Sequence, residues 1–543
     1  MLKATDMSAD TNRSIWLTAF LWLAVVVVAL AVRPALPVDE TRYLAVAWDM
    51  WRERHYLVPH LNGETYSHKP PLLFWLMTAG WHVFGVNDWW PRLVAPLFGL
   101  GSLMLTLRLA ERLWPDKAKI AEMAPVLLFG ALFWTLFSTL TMFDMMLAFF
   151  TLAALLGLMA ARDGGYRGFV IAGIAMGFGV LAKGPAIFLH VLPVALSAPW
   201  WLPGIVKSRW YAGTALAVLI TVAFALVWAV PAGIAGGEAY RDAIFWGQSA
   251  GRIVKSFAHA RPFWWYAAVL PGLVLPWLIW PPLWRAARRF GQITPDGGVR
   301  MCLVWFGTAF VAFSLISGKQ LHYLLPEFPA LALLAARLLA HDDDTDQAPS
   351  RWDLWLPGGV AMLAGGVLMV ARYLPLSGRS ADLVAESQSV WGVLLLAAGA
   401  MAVMSRGRTR TEQMARLAAI SAFAVLALHL MAAPILAKRY DLAPLARFLA
   451  AAQANGKEIA YFGKYHGQFH FLGRMSRPVT TIGLKKDDEA EFLKAHPGGL
   501  VASRYRTLPT NAVPLFTHVY RNYTYAVWSA AAMIAHPGLG ERR

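Results

Sequence analysis

Asp39 and Glu40 stand side by side directly after a long apolar run, and Lys69 follows in Tyr66-Ser67-His68-Lys69-Pro70-Pro71-Leu72. Charged side chains this close to a bilayer are costly unless they have partners or a task. A carboxylate pair with a lysine beside a membrane surface points to chemistry on a charged lipid. Asp144, Lys183, Lys319 and His322 fall at ends of later apolar runs that are predicted to face the same side. Chance would scatter such groups between both faces. Asp39, Lys69 and Asp144 are therefore the candidate catalytic residues.

Each candidate also has a structural role open to it. One of Asp39 and Glu40 suits the start of a helix, where a carboxylate favours the positive helix end. Asp144 suits the same role for the run that follows it. Lys69 is poorly placed for stability, because Pro70 and Pro71 hold it at a helix start whose partial charge has its own sign. An anion between the lysine and the helix end resolves that conflict; a lysine reaching toward lipid phosphates is the alternative. Leu181-Ala182-Lys183-Gly184-Pro185 reads as a turn with a lysine in it, and Ser317 to Pro326 as a similar break carrying Lys319, His322 and Tyr323. Arg252, Lys255, His259 and Arg261 lie in a loop near 231–262 and suit either phosphate binding or a solvated face. Glu64, His68 and His259 are the metal-ligand candidates. They lack the spacing of a metal motif, and the sequence requires no cofactor.

The elements that must position these groups are membrane helices. Of 543 residues, 58% are hydrophobic and 15% charged, well below the charge of soluble domains. Hydropathy predicts about thirteen spans, near 15–33, 90–112, 120–140, 144–161, 168–183, 185–201, 210–230, 263–284, 300–317, 322–340, 354–373, 388–405 and 414–433. The first is too long for a signal-peptide core and lacks a cleavage site. Basic residues in alternate short loops put the N-terminus in the cytoplasm and the C-terminal segment outside. The long loop 34–92 is then external. Within it, 41–55 reads as an amphipathic helix and 70–84 as a second apolar helix along the membrane surface. The net charge of +17 is partly topological and partly suited to anionic ligands. No nucleic-acid motif accompanies it. The single cysteine, Cys302, excludes an internal disulfide.

From about residue 437 the pattern changes. Strand-like segments appear at Glu458–Phe462, Pro478–Ile482, Leu500–Ser503 and Leu515–Trp528, with a helix over Lys486–His496. The predicted organisation is an all-α polytopic membrane domain over 1–436 and a small external α/β domain over 437–543. The run His341 to Asp346 reads as a solvated cytoplasmic loop.

Asp39-Glu40-x-Arg42-Tyr43, Tyr66-x-x-Lys69-Pro70-Pro71-Leu72, Ala182-Lys183-Gly184-Pro185 and Lys319-x-x-His322-Tyr323-x-Leu325-Pro326 together resemble the GT-C class of lipid-linked-sugar glycosyltransferases. The branch they resemble most is the lipid A 4-amino-4-deoxy-L-arabinose transferases, relatives of protein O-mannosyltransferases. Phe469-His470-Phe471-Leu472-Gly473-Arg474 is similar to that branch's external domain. The resemblance implies transfer of aminoarabinose from undecaprenyl phosphate to lipid A phosphates at the periplasmic face of the bacterial inner membrane, with resistance to polymyxin and cationic peptides. It implies a donor and phosphate set of Arg42, Tyr66, Lys69, Lys183, Arg252, Lys255, Arg261, Lys319, His322 and Tyr323, with Glu40 and Tyr43 on the acceptor side. The expected partners are the polyprenyl donor, lipid A and membrane lipids, for a monomeric enzyme. Other polyprenyl-phosphate-sugar transferases share the architecture. A flippase for the donor would place charge at mid-membrane depth and show an internal repeat. A structural membrane protein with a sensor domain leaves the one-sided charge unexplained.

Overall fold

Apolar runs in lipid become helices because every backbone N–H and C=O must find its partner within the segment. The computed structural model describes residues 9–163, 165–247, 260–292, 295–344, 349–405, 409–485 and 487–539. Among these, six helices are long and apolar enough to cross a bilayer: Trp89–Leu113, Lys207–Ala235, Gly297–Leu315, Leu321–His341, Arg351–Tyr373 and Arg410–Ala454. A seventh crossing is reached if Ser380–Glu386 and Ser389–Met404, bent by 80°, are one broken span. The chain is a multi-pass membrane protein.

Several predicted spans are shorter or interrupted. The run 120–140 divides into helices Ala118–Gly130 and Leu132–Phe137 at Ala131. The run 263–284 divides into Trp265–Leu273, a 3-10 turn at Trp277–Ile279, and Pro281–Arg288. Pro271, Pro276, Pro281 and Pro282 remove N–H donors there, so one continuous helix cannot form.

The chain folds as two compact units: 1–31, 68–73 and 88–431 in the first, and 32–67, 74–87 and 432–543 in the second. In the first unit, helices Asp144–Ala160 and Arg167–Lys183 are antiparallel neighbours. Their backbones touch: a Cβ on Gly157 would lie 2.6 Å from the Ala172 nitrogen. Small residues at such seams are how helices pack where lipid offers no hydrophobic drive between them. Helix Lys207–Ala235 joins the stack, with the Thr221 hydroxyl donating to the Gly173 carbonyl at 3.1 Å.

The second unit unites the first loop with the C-terminal segment. Helix Asp39–Glu53 falls where 41–55 was expected, and helix Leu72–Phe84 where 70–84 was. Between them β1 (His60–Leu61) and β2 (Glu64–Thr65) form a hairpin. Its turn residues Asn62 and Gly63 both have positive φ, as a tight hairpin demands. The C-terminal part contributes β3 (Ile459–Phe462), β4 (Thr480–Ile482), β5 (Leu500–Tyr505), β6 (Phe516–Tyr520) and β7 (Tyr523–Ser529), in the order β4-β3-β5-β7-β6. β3 runs parallel to β4 and β5; β7 is antiparallel to β5 and β6. The segment 515–528, expected as one strand, is the β6–β7 hairpin, turning at Arg521 with φ 55°. Loop and tail interlock. Trp81 stacks on Phe471 with centroids 5.2 Å apart, and Trp48 Nε1 donates to the Met475 carbonyl at 2.9 Å. The Asn62 side chain exchanges two hydrogen bonds with the Val479 backbone, at 2.9 and 2.7 Å.

Candidate active site

Helix direction builds the core of the site. Asp144 opens one helix and Lys183 closes its antiparallel neighbour, so the N-terminal end of the first meets the C-terminal end of the second. Each charge also suits the dipole of its own helix end. The two form an ion pair, with Asp144 almost fully buried. Gly184, at φ 73°, stops the second helix, and its N–H returns to the Val180 carbonyl at 2.7 Å.

The third wall is the 3-10 helix Leu321–Glu327. Its Tyr323 ring lies under Lys183, 5.0 Å from the ammonium. The His322 ring meets Tyr323 edge-on at 5.0 Å and stacks on Phe137 at 5.3 Å. The Lys69 ammonium lies 5.3 Å from the centre of the Phe143 ring, next to Asp144 in sequence. Lys69, Lys183 and His322 are all within electrostatic reach of the Asp144 carboxylate. The cluster therefore sets two ammonium groups and an imidazole against one carboxylate. Such a site suits an anion whose charge grows during reaction.

An apolar cavity of about 410 Å³ lies in the same unit, with Leu270, Phe310, Phe328 and Leu331 in its wall. Phe328 follows the 3-10 helix directly and packs on Phe133 at 5.9 Å. Phe133 packs on Phe137 at 5.4 Å, and Phe137 carries His322. A run of ring contacts, Phe328–Phe133–Phe137–His322, thus leads from the cavity wall to the charged cluster.

Other predicted residues are placed differently. Lys319 is buried, and its ammonium donates to the carbonyls of Ile316 and of Arg261, the latter at 3.0 Å. Burial holds it below the ordinary lysine range. It clamps the 260–261 segment to the 316–318 strand-like bridge, which is a backbone role rather than a phosphate contact. Arg261 itself is exposed. Arg252, Lys255 and His259 lie outside the described residues. In the second unit, Glu40 is buried, paired with Arg33, and accepts the Leu36 N–H at 2.8 Å; it closes the turn before its helix. Tyr43 and Tyr66 are buried against Phe74, with centroids at 6.4 and 6.2 Å. Their placement is that of core residues. Asp39 is half exposed, and its carboxylate lies 3.8 Å from Arg42. Glu64 and His68 are exposed. Among the described residues no three His, Cys, Asp or Glu side chains gather as a metal site would need.

The sequence reading missed the pair His190–Glu327. Both side chains are fully buried, and they hydrogen-bond to each other. Lys183 is within electrostatic reach of Glu327. The signal was present: a histidine inside an apolar helix and a glutamate after Leu324-Leu325-Pro326 are both costly in lipid without partners.

Residues 68–228 match the family described as dolichyl-phosphate-mannose-protein mannosyltransferase. The structure of ArnT from Cupriavidus metallidurans in the apo state superposes with a TM-score of 0.76, covering 97% of this chain and 99% of that one at 19% identity. This is the ArnT fold. The form of ArnT bound to undecaprenyl phosphate gives a TM-score of 0.74 at 21% identity, covering 96% of this chain and 99% of that one. In sequence, the chain is similar to proteins named undecaprenyl phosphate-alpha-4-amino-4-deoxy-L-arabinose arabinosyl transferase. That of Enterobacter sp. (strain 638) is 31% identical over 310 residues, 55% of this chain and 54% of the relative. That of Edwardsiella ictaluri is 32% identical over 338 residues, 59% and 58%. The alignment thus spans somewhat over half the length of these curated relatives. The mannosyltransferase match begins at His68, and so includes Lys69, Asp144 and Lys183 of the charged cluster.

Proposed function

We propose that the protein is an integral membrane glycosyltransferase that moves 4-amino-4-deoxy-L-arabinose from undecaprenyl phosphate to a phosphate of lipid A. The observation that carries this reading is the cluster of Lys69, Lys183 and the His322 imidazole, linked through Phe137 and Phe133 to Phe328 in the wall of an apolar cavity. A polyprenyl phosphate has that same division into greasy tail and anionic head. The fold of a protein crystallised with undecaprenyl phosphate supports the reading.

In the reaction, the bond between the sugar's anomeric carbon and the donor phosphate oxygen breaks, and the acceptor oxygen forms the new bond. The departing phosphate gains negative charge. Lys69 and Lys183 stabilise it, an electrostatic contribution that is commonly the largest in catalysis. Asp144 positions Lys183 through their ion pair. A phosphate acceptor is already ionised near neutral pH and needs no base. Asp39 would then orient the acceptor, hold a cation or pair with the sugar ammonium; with a hydroxyl acceptor it would serve as general base. The lysines supply the positive charge that a divalent cation supplies in other transferases, so we expect transfer to survive chelation.

We place the reaction at the periplasmic face of the inner membrane, with about thirteen apolar segments in the membrane, a cytoplasmic N-terminus, the soluble domain from residue 437 outside, and a monomeric enzyme. Modified lipid A is less anionic, so expression should confer polymyxin resistance. Lys69→Ala and Asp39→Asn expressed at normal levels should abolish that resistance; full resistance would refute the roles given. The match over 68–228 favours one second reading, transfer of a sugar to a protein hydroxyl. Mass spectra of lipid A from cells with and without the gene separate the two.

A further inference from the structure

A second cavity, of about 250 Å³, lies within the second unit, between Pro37-Val38 of the first loop and the C-terminal sheet. Its charged lining is cationic: Lys464, Arg504 and the imidazole of His466, with no carboxylate among the lining residues. Among the described residues, neither Lys464 nor Arg504 forms an ion pair. Lys464 and His466 follow the carboxyl end of β3, and Arg504 lies near the carboxyl end of β5, the parallel neighbour of β3. Ligands of open α/β sheets enter beyond the carboxyl ends of parallel strands, where the chain leaves the sheet.

The floor is aromatic. Tyr461 on β3, Tyr520 on β6 and Tyr525 on β7 are nearly fully buried yet line the cavity. The Tyr461 and Tyr525 hydroxyls lie 3.5 Å apart, and the Tyr520 and Tyr525 rings 5.5 Å apart. Tyrosines offer a ring face to the apolar side of a sugar and a hydroxyl to its polar edge. Lysine and arginine together bind a phosphate as a point charge and a planar donor fork. Clefts with a few convergent polar groups are the usual form of small-ligand sites.

We propose that this cavity binds a sugar phosphate: the phosphate on Lys464 and Arg504, the ring over the tyrosines. The assignment of that ligand to the acceptor's phosphorylated glucosamine headgroup rests on the transfer proposed above; the binding itself does not.

The test uses the full-length protein in detergent and titration calorimetry with glucosamine 1-phosphate, glucosamine and inorganic phosphate. The phosphosugar should bind at least about tenfold more tightly than either fragment. Lys464→Gln/Arg504→Gln should weaken it about tenfold or more while leaving undecaprenyl phosphate binding unchanged. Should the double variant fail to fold, Lys464→Gln alone, at an exposed position, should weaken it about threefold. Absent binding, equal affinity for phosphosugar and glucosamine, equal affinity for inorganic phosphate, or affinity unmoved by the substitutions would each overturn the proposal. In a second arm, lipid A and dephosphorylated lipid A compete with the phosphosugar. Competition by lipid A alone supports the headgroup as the source, and competition by neither overturns that assignment. Failure of the wild-type protein to transfer sugar would sink the enzymatic reading and leave these binding results standing.

Discussion

Lys183 does two jobs on this account, and substitution can separate them. It neutralises the buried Asp144 carboxylate, and it supplies charge to the reacting phosphate. Removing one partner of a buried ion pair strands the other charge and costs about 3–5 kcal/mol, whereas replacing both by apolar residues of similar size is often neutral. Asp144 is 1% exposed, so the full penalty applies. Lys183→Met should therefore be strongly destabilised, and Asp144→Leu/Lys183→Met should recover most of the loss. At about 2 °C per kcal/mol, the single variant should unfold roughly 6 °C or more below wild type. Cys302 provides the assay: it is the sole cysteine, it is buried in helix Gly297–Leu315, and a thiol-reactive dye reports its exposure on heating. Transfer activity should be absent from both variants, because the stabilised double variant still lacks the ammonium. A double variant no more stable than Lys183→Met would refute the pairing argument, and an active double variant would refute the electrostatic role.

Filling the apolar cavity should discriminate against long donors: Ala332 also lines it, and Ala332→Phe should raise KM for undecaprenyl-linked sugar several-fold while leaving a short-chain analogue unaffected, as paired kinetics would show. Trp81→Ala removes the ring stacked on Phe471 and should cost the second unit about 3–5 kcal/mol, read by amide hydrogen exchange in the tail. Two buried groups oppose each other in pH dependence. Burial pushes the Asp49 carboxyl up to about 6, so its contribution to stability is full below about pH 4 and is lost as pH rises through 6. Burial pushes His470 down to about 4, so its contribution is full above about pH 6.5 and is lost as pH falls through 4. Each is worth up to about 3 kcal/mol. Asp49→Asn should leave the His470 slope unopposed, and amide protection factors in the tail, which are corrected for the intrinsic slowing of exchange in acid, should then fall from pH 7 to pH 5 more than in wild type.

Local pattern made much of this legible. The helices of the first loop lay within about two residues of their predicted bounds, because amphipathic spacing and a Pro-Pro start are local signals. Asp144, Lys183 and His322 could be grouped because antiparallel helix ends on one face must meet. The interruptions at Ala131 and near Pro276 were harder: hydropathy sums over a window and registers neither one residue turning extended, as Ala131 does, nor a lost proline N–H. The turn at Arg521 was hidden because arginine at positive φ carries no glycine or asparagine signature. Lys319 looked like its neighbours in sequence, and only three dimensions show its ammonium spent on carbonyls. The pairing of the first loop with the tail rests on Trp81–Phe471 and Asn62–Val479, contacts separated by about four hundred residues, which periodicity cannot encode.

The most direct test of the central claim is single-turnover transfer by the purified full-length protein from labelled undecaprenyl-phosphate-aminoarabinose to lipid A, comparing wild type with Lys69→Ala. Label should reach lipid A with wild type, at a rate about 100-fold lower or less in the variant, with donor affinity changed only a few-fold. Label that never leaves the donor with wild-type protein, or a Lys69→Ala rate equal to wild type, would contradict it.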